Sequence, residues 1–315
     1  MNNFENYLEQ EIKPWMLTHL KSGQIISDKK THIQYYYAIN PDAKASITIV
    51  HGFCEFFSKY HEVFYRFYEQ GYSVFFLELR GHGFSSRQVR VKDAVYIKNY
   101  EDYLRDLNAF TKQIVLPKSQ GLKHVLFAHS MGGCVATLYL ASHPEDYDYA
   151  ILSSPMLKIN YGGVKPWQIR TLTHVSNIFH LGKMLVPTAT RFTGEDHFEK
   201  SNALDRDRYD YQMDERKQNK SYQTWSPTYE WTIASRKATD IIPLCARKIH
   251  IPILLMQAEN DTMVDNDGQN LFKELSKTTK FVVIPHAKHE LYNGTDEIRK
   301  IFYENIFDFL HEYNI

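Results

Sequence analysis

The sequence predicts an α/β protein with a mostly parallel sheet, helices on both faces and one inserted helical segment. Short apolar runs alternate along the chain with longer amphipathic stretches. Most of those runs are continuously apolar, the pattern of strands buried on both faces, and strands joined by helices imply right-handed crossovers within one sheet. The alternation breaks once, between about Pro155 and Pro243.

Taken in order, "GQIISDKKTHIQYYYAI" reads as a hairpin, which puts an antiparallel pair at one edge. "ASITIV" (Ala45 to Val50) is a strand ended by His51-Gly52. "KYHEVFYRFYEQG" carries Val63, Phe64, Phe67 and Tyr68 at helical spacing, with Gly71 as the stop. "YSVFFLEL" is the next strand and "RGHGFSS" a glycine-rich turn. "NYEDYLRDLNAFTKQIV" has helical period, "HVLFA" is a strand, "MGGCVATLYLASH" a helix of small and apolar residues, and "YAILSS" a strand. Strands "HIPILLMQA" and "TKFVVIP" and a terminal helix "IRKIFYENIFDFLHEY" complete the pattern.

The interrupting stretch is rich in aromatic and charged residues, with helical pieces around Trp167 to Met184 and Thr228 to Lys237, no strand run, and a strongly polar middle, "FTGEDHFEKSNALDRDRYDYQMDERKQNKSYQ". Ligands of open α/β sheets bind beyond the carboxyl ends of the strands. Residues 155–243 are therefore expected to form a helical lid over that edge of a core made by residues 1–154 and 244–315.

Bulk properties narrow the function. The 315 residues suggest about two domains by length, or one α/β core with an insertion. Thirty-seven basic residues balance 37 acidic ones, which removes the electrostatic case for nucleic acid. Cys54, Cys134 and Cys245 are far apart and form no C-x-x-C pair. They read as inert thiols in a reducing compartment. The N-terminus "MNNFENYLEQEIKPWM" has early acids and no apolar core, unlike a secretory signal, and no run approaches the roughly 18 apolar residues of a membrane span. The expectation is a soluble, cytoplasmic protein, with a peripheral membrane encounter left open.

The chemistry centres on "HVLFAHSMGG". A serine at a sharp strand-to-helix turn projects its hydroxyl beyond the sheet edge, and such a turn needs small residues two before and two after it. Ala128 and Gly132 fill those positions around Ser130. The helix start offers unpaired N–H groups where negative charge would develop. Taken alone, Ser130 could equally be a simple helix N-cap.

A nucleophilic serine needs a base, and the base an orienting carboxylate. Asp261, in "ENDTMVD", lies just past the strand "HIPILLMQA", and His289, in "HAKHELYNG", just past the last strand. Glu259 and Asp265 compete with Asp261, but Glu259 sits at the strand end with less freedom to reach. His286 competes with His289, but directly after Pro285 it is expected to pack or cap. An oxyanion needs two backbone N–H groups. Met131, after the nucleophile, supplies one, and Phe53, after the permissive Gly52, is the candidate for the other.

The segments "HGFCEFFSKY", "LELRGHGFSS", "FAHSMGG", "ENDTMVD" and "HELYNG" resemble the α/β-hydrolase group of monoacylglycerol lipases and bacterial lysophospholipases, and "SPTYEWTIAS" (Ser226 to Ser235) resembles the bacterial lysophospholipase branch. The likeness covers the core from Ile49 onward. It implies the α/β-hydrolase fold, Ser130, Asp261 and His289 as catalytic triad, and Phe53 and Met131 as oxyanion donors. Departures are Ala128 for the usual glycine and Glu78 where an aspartate is common. Arg80 and His82 are read as organising loops beneath the site, and Glu55 as a brace of the oxyanion turn. The implied reaction is hydrolysis of a small lipid-like acyl ester through an acyl-enzyme. No metal or organic cofactor is implied, and a transient membrane contact would be made through the lid. Head group, chain length and oligomeric state stay open. A peptidase of the same fold is the rival reading, because the lid's "GEDHFE" and "DERKQ" could bind a substrate amine. A non-enzymatic member would be expected to lack a triad residue, and haloalkane dehalogenation would need an aspartate at position 130.

Overall fold

A computed structural model describes residues 3–160, 176 and 178–315. Its main sheet has eight strands in the order β1-β2-β4-β3-β6-β7-β9-β10. These are β1 (Lys21–Asp28), β2 (Thr31–Ala38), β3 (Ala45–Val50), β4 (Ser73–Leu77), β6 (Lys123–His129), β7 (Tyr149–Ser153), β9 (Ile253–Ala258) and β10 (Thr279–Ile284). The hairpin β1–β2 lies at one edge, and β2 pairs antiparallel with β4. From β4 to β10 every pairing is parallel.

The strands read as apolar runs because both faces are covered. Along β6, Val125 and Phe127 face one cluster with Ile47, Ile49, Leu254 and Met256. Leu126 and Ala128 face the other, with Val50, Leu152 and Leu255. The helices His61–Glu69 and Asp296–Glu312 cover the first face, and Glu101–Phe110 and Met131–Ser142 the second. The helix Met131–Ser142 buries almost its whole length, which explains a sequence apolar all round rather than amphipathic.

Sheet order places the site. The chain runs from β3 outward to β4, then returns to β6 on the other side of β3. The crevice beyond the carboxyl ends of β3 and β6 is thus the topological switch point, where open α/β sheets bind ligands. The His51-Gly52-Phe53 turn leaves β3 there, and Ser130 leaves β6 beside it.

Between β7 and β9 the chain departs from the sheet, and here the structure amends the sequence reading. The stretch does hold a strand: β8 (Ser226–Pro227) pairs parallel with β5 (Ala94–Val95) in a separate two-stranded ladder. Its polar middle also forms a 13-residue helix, Arg206–Gln218, capped by Asp205, whose side chain accepts the Arg208 N–H. The buried stripe of that helix is Arg208, Tyr209, Gln212, Met213 and Arg216, so its helical period is carried mostly by polar residues. The helix expected around Thr228 to Lys237 is Tyr229–Asp240, capped by Thr228. Of the piece expected around Trp167 to Met184, residues 167–175 and 177 lie outside the described residues; within its remainder, Leu181–Lys183 form a short 3-10 turn. Among the described residues no helix is long and apolar enough to cross a membrane.

Candidate active site

Ser130 occupies the N-cap position of the helix Met131–Ser142 with φ 52° and ψ −119°. That region is disfavoured for a residue with a side chain, at a cost of order 1–3 kcal/mol. Surrounding bonds hold the turn: the Ser130 N–H donates to Ser153 O (3.1 Å), and Ser130 O accepts from the N–H of Gly133 (2.9 Å) and Met156 (2.8 Å). The two glycines are steric requirements. A Cβ at Gly132 would lie 2.3 Å from Val50 O, and one at Gly133 2.4 Å from Pro155 Cβ. Ala128 is fully buried in β6, between Val50 and Leu152 of the neighbouring strands.

The Ser130 side chain does not cap its helix. Its Oγ lies 2.7 Å from His289 Nε2, and His289 Nδ1 lies 2.7 Å from Asp261 Oδ2. Asp261 Oδ1 accepts the N–H groups of Met263 (2.9 Å) and Val264 (3.2 Å). Burial pushes the Asp261 carboxyl up, but His289 and these two N–H donors together hold it below the ordinary carboxylate value. An ionised Asp261 can only accept, so the proton of a neutral His289 sits on Nδ1. Nε2 is left to accept from the Ser130 hydroxyl.

The rivals stand elsewhere. Glu259 Oε2 accepts the backbone N–H of His286 (2.7 Å). His286, expected to pack or cap, does not pack: its side chain is 90% exposed, and its φ is 58°. Asp265 caps the helix Asn266–Leu275 and pairs with Lys158.

The oxyanion candidates flank Ser130. Met131 is the first residue of the elbow helix, and neither its N–H nor that of Phe53 is taken up by another described residue. The Phe53 peptide is held from the carbonyl side. Leu79 N–H donates to His51 Nε2 (3.0 Å), so Nδ1 carries the ring proton and donates to Gly52 O (2.7 Å). In a trans peptide the C=O and N–H point opposite ways, so fixing Gly52 O aims the Phe53 N–H away from His51. Burial lowers the His51 pKa to about 4, keeping the ring neutral. A side chain at Gly52 would come within 2.8 Å of Glu55 Oε2 and 3.1 Å of Ser130 Cβ.

Glu55 braces this turn. Its Oε2 accepts the Gly52 N–H and the Tyr60 hydroxyl, both at 2.5 Å, and its Oε1 accepts the Tyr292 hydroxyl (2.7 Å). Lys59 lies 2.7 Å from both Glu55 and Glu290, tying the turn at Gly52 to the residue after His289. Burial alone would raise the Glu55 carboxyl, but Lys59 beside it holds it well below the usual range. Sequence reading found Glu55 and missed Lys59, Tyr60, Glu290 and Tyr292; the Glu55–Lys59 spacing of four was the one available signal. Below the site, Arg80 is buried and ion-paired with Asp106 and Asp28. Glu78 accepts the N–H groups of Phe57 (3.1 Å) and Phe84 (2.7 Å), so the longer acid still spans two loops. Burial pushes its carboxyl up to about 7.

The segment between β7 and β9 reaches this site. Trp231 packs on Phe53 with ring centroids 4.1 Å apart, and Tyr222 stacks on Phe56 at 4.3 Å. A separate groove of about 610 Å³, lined by Phe4, Glu62, Arg208 and Tyr303 among others, includes none of Ser130, Asp261 or His289.

Comparison with known proteins shows the family of this chain. The profile of the family described as serine aminopeptidase, S33, matches residues 41–296. This chain belongs to that family. It is an α/β-hydrolase of the lysophospholipase and monoacylglycerol lipase group, a carboxylic-ester hydrolase. Over 294 residues the hydrolase is 29% identical to a probable lysophospholipase L2 of Haemophilus influenzae, covering 91% of each chain. It is also 29% identical to lysophospholipase L2 of Escherichia coli K12, over 85% of this chain and 81% of the relative. Its fold matches a soluble variant of monoglyceride lipase from Saccharomyces cerevisiae with a TM-score of 0.76, at 15% identity and over 95% and 97% of the two chains.

Proposed function

We propose that this hydrolase cleaves a lysophospholipid-like acyl ester with Ser130 as nucleophile, His289 as general base and Asp261 as its orienting anion. The observation that carries the reading is the continuous hydrogen-bonded line from Ser130 through His289 to Asp261, at the carboxyl ends of β6, β10 and β9. His289 Nε2 takes the hydroxyl proton as Oγ attacks the ester carbonyl. The N–H groups of Phe53 and Met131 stabilise the oxyanion, and the protonated imidazole, held by Asp261, delivers its proton to the leaving alcohol. Water activated by His289 then cleaves the acyl-enzyme.

In this reading residues 155–243 are the lid over a core of residues 1–154 and 244–315. Trp231 and Phe53 offer an apolar wall for an acyl chain. Ile178, Phe179 and Met184, each more than half exposed, give the lid an apolar edge for transient contact with a membrane surface. The lysophospholipid class rests on the names of the relatives and on "SPTYEWTIAS".

The family description supports a second reading, removal of N-terminal residues from peptides. That chemistry needs free carboxylates for the substrate amine; Asp196 is paired with Arg206 and Asp214 with Lys217, which leaves Glu199 and Glu215 of the same segments as the carboxylates for that role. The test compares fatty-acid release from lysophosphatidylcholine with arylamine release from aminoacyl arylamides, using Ser130→Ala as the blank. Ester cleavage lost in the blank is expected. Faster arylamide cleavage would replace the lipid reading, and activity persisting in Ser130→Ala would remove the serine mechanism.

A further inference from the structure

Arg216, on the helix Arg206–Gln218, is buried, with 6% of its surface exposed. A buried guanidinium ordinarily faces a carboxylate, because desolvating a charge is costly. Arg216 instead gives its two hydrogen bonds to main-chain carbonyls. Nη1 donates to Thr224 O (2.6 Å) and Nη2 to Cys54 O (2.8 Å), while Nε is buried without a partner among the described residues. Its plane lies against Phe56 and Trp225, 5.0 and 5.2 Å from the ring centroids.

Cys54 directly follows the oxyanion candidate Phe53, and its φ is 59°, the left-handed region that a side chain disfavours. A residue there persists only when its neighbours over-determine it. On one side of Phe53, Gly52 is fixed by His51 and Glu55. On the other side, the side-chain donor on the Cys54 carbonyl is Arg216, which comes from the inserted segment and not from the sheet.

We infer that Arg216 is a positioning residue that makes the oxyanion geometry conditional on the seating of the helix Arg206–Gln218. When that helix is seated, the guanidinium holds Cys54 in its strained conformation and the Phe53 N–H stays aimed at the reacting carbonyl. When it lifts, Cys54 relaxes and the donor is lost while Ser130, His289 and Asp261 keep their contacts. The inference rests on the serine-esterase reading but not on the lipid class.

The test uses p-nitrophenyl butyrate as substrate and a butyl trifluoromethyl ketone as the oxyanion-forming inhibitor. Arg216→Met keeps the stem and removes both bonds. It is expected to lower kcat by about ten- to a hundredfold, the scale of a misplaced or weakened donor, with KM within about twofold, and to weaken ketone binding by a similar factor. Arg206→Met is the control. It removes exposed pairs of the same helix with Asp196 and Asp210, both within the inserted segment, so it neither unseats the helix from the core nor touches Cys54, and should leave kcat and ketone affinity unchanged. Equal kcat losses in the two variants, or unchanged ketone binding in Arg216→Met, would overturn the inference. If Arg216→Met does not fold, Arg216→Gln, too short to reach both carbonyls, is judged by the same two outcomes. A wild-type enzyme that neither turns over the ester nor binds the ketone would remove the parent reading, and the inference with it.

Discussion

Ser130 combines two features that its neighbours must support, a left-handed backbone and an uncapped hydroxyl. Ala128 supplies part of that support by being small. It is fully buried, with Val50 and Leu152 on the flanking strands. Ala128→Val adds two methyl groups to a packed face, a change that costs about 1–3 kcal/mol. It should reduce ester turnover and lower the urea midpoint. Ala128→Gly removes one methyl group and should cost only about 0.5–1 kcal/mol, mostly through backbone entropy. A harmless valine would show that the turn tolerates bulk there, whatever the role of Ser130.

At the scale of elements, the site depends on how closely the elbow helix approaches β3. Gly132 lets the first turn of the helix Met131–Ser142 lie against the main chain at Val50 and His51, where an alanine Cβ would sit 2.3 and 2.6 Å from the two carbonyl oxygens. Neither contact is with a flexible side chain, so relief requires the helix and strand to part. Gly132→Ala is therefore expected to lose labelling by a fluorophosphonate probe at Ser130 and to lower the melting temperature, both more severely than Ala128→Gly. Full labelling in Gly132→Ala would mean that the helix can move away without disturbing the elbow.

The whole molecule carries several imidazoles in the neutral form. Burial lowers the pKa of His51 and His129 to about 4 and that of His82 well below its ordinary value. The folded state therefore binds fewer protons than the unfolded chain below about pH 6.5. The stability these rings contribute is fully present above that pH and is lost as the pH falls through about 4. Glu78 opposes them: its carboxyl, raised to about 7, contributes stability that fades as the pH rises from its ordinary range through 7. One carboxyl is outweighed by three imidazoles, so the melting temperature should drop between pH 7 and pH 4.5. A flat or rising profile over that interval would show that these rings titrate without penalty.

The sequence by itself determined the sheet, because continuous apolar runs and helical periodicity follow directly from burial on two faces. It also brought Ser130, Asp261 and His289 to strand ends, since each follows an apolar run by a few residues. The helix Arg206–Gln218 stayed hidden because its inward stripe is built largely from the polar Arg208, Gln212 and Arg216, and the two arginines reach partners far away in the chain, Glu62 and Cys54. The same holds for the Glu55–Lys59–Glu290 group, where charge is buried only because folding brings opposite charges together. The left-handed backbone at Cys54 also escapes local reading, as cysteine does not favour it, whereas the small residues around Ser130 announce the sharp turn there. Apolar pattern is a property of each segment and is written locally. The pairing of buried charges and the tolerance of strain are properties of what lies opposite, and only the tertiary structure decided them.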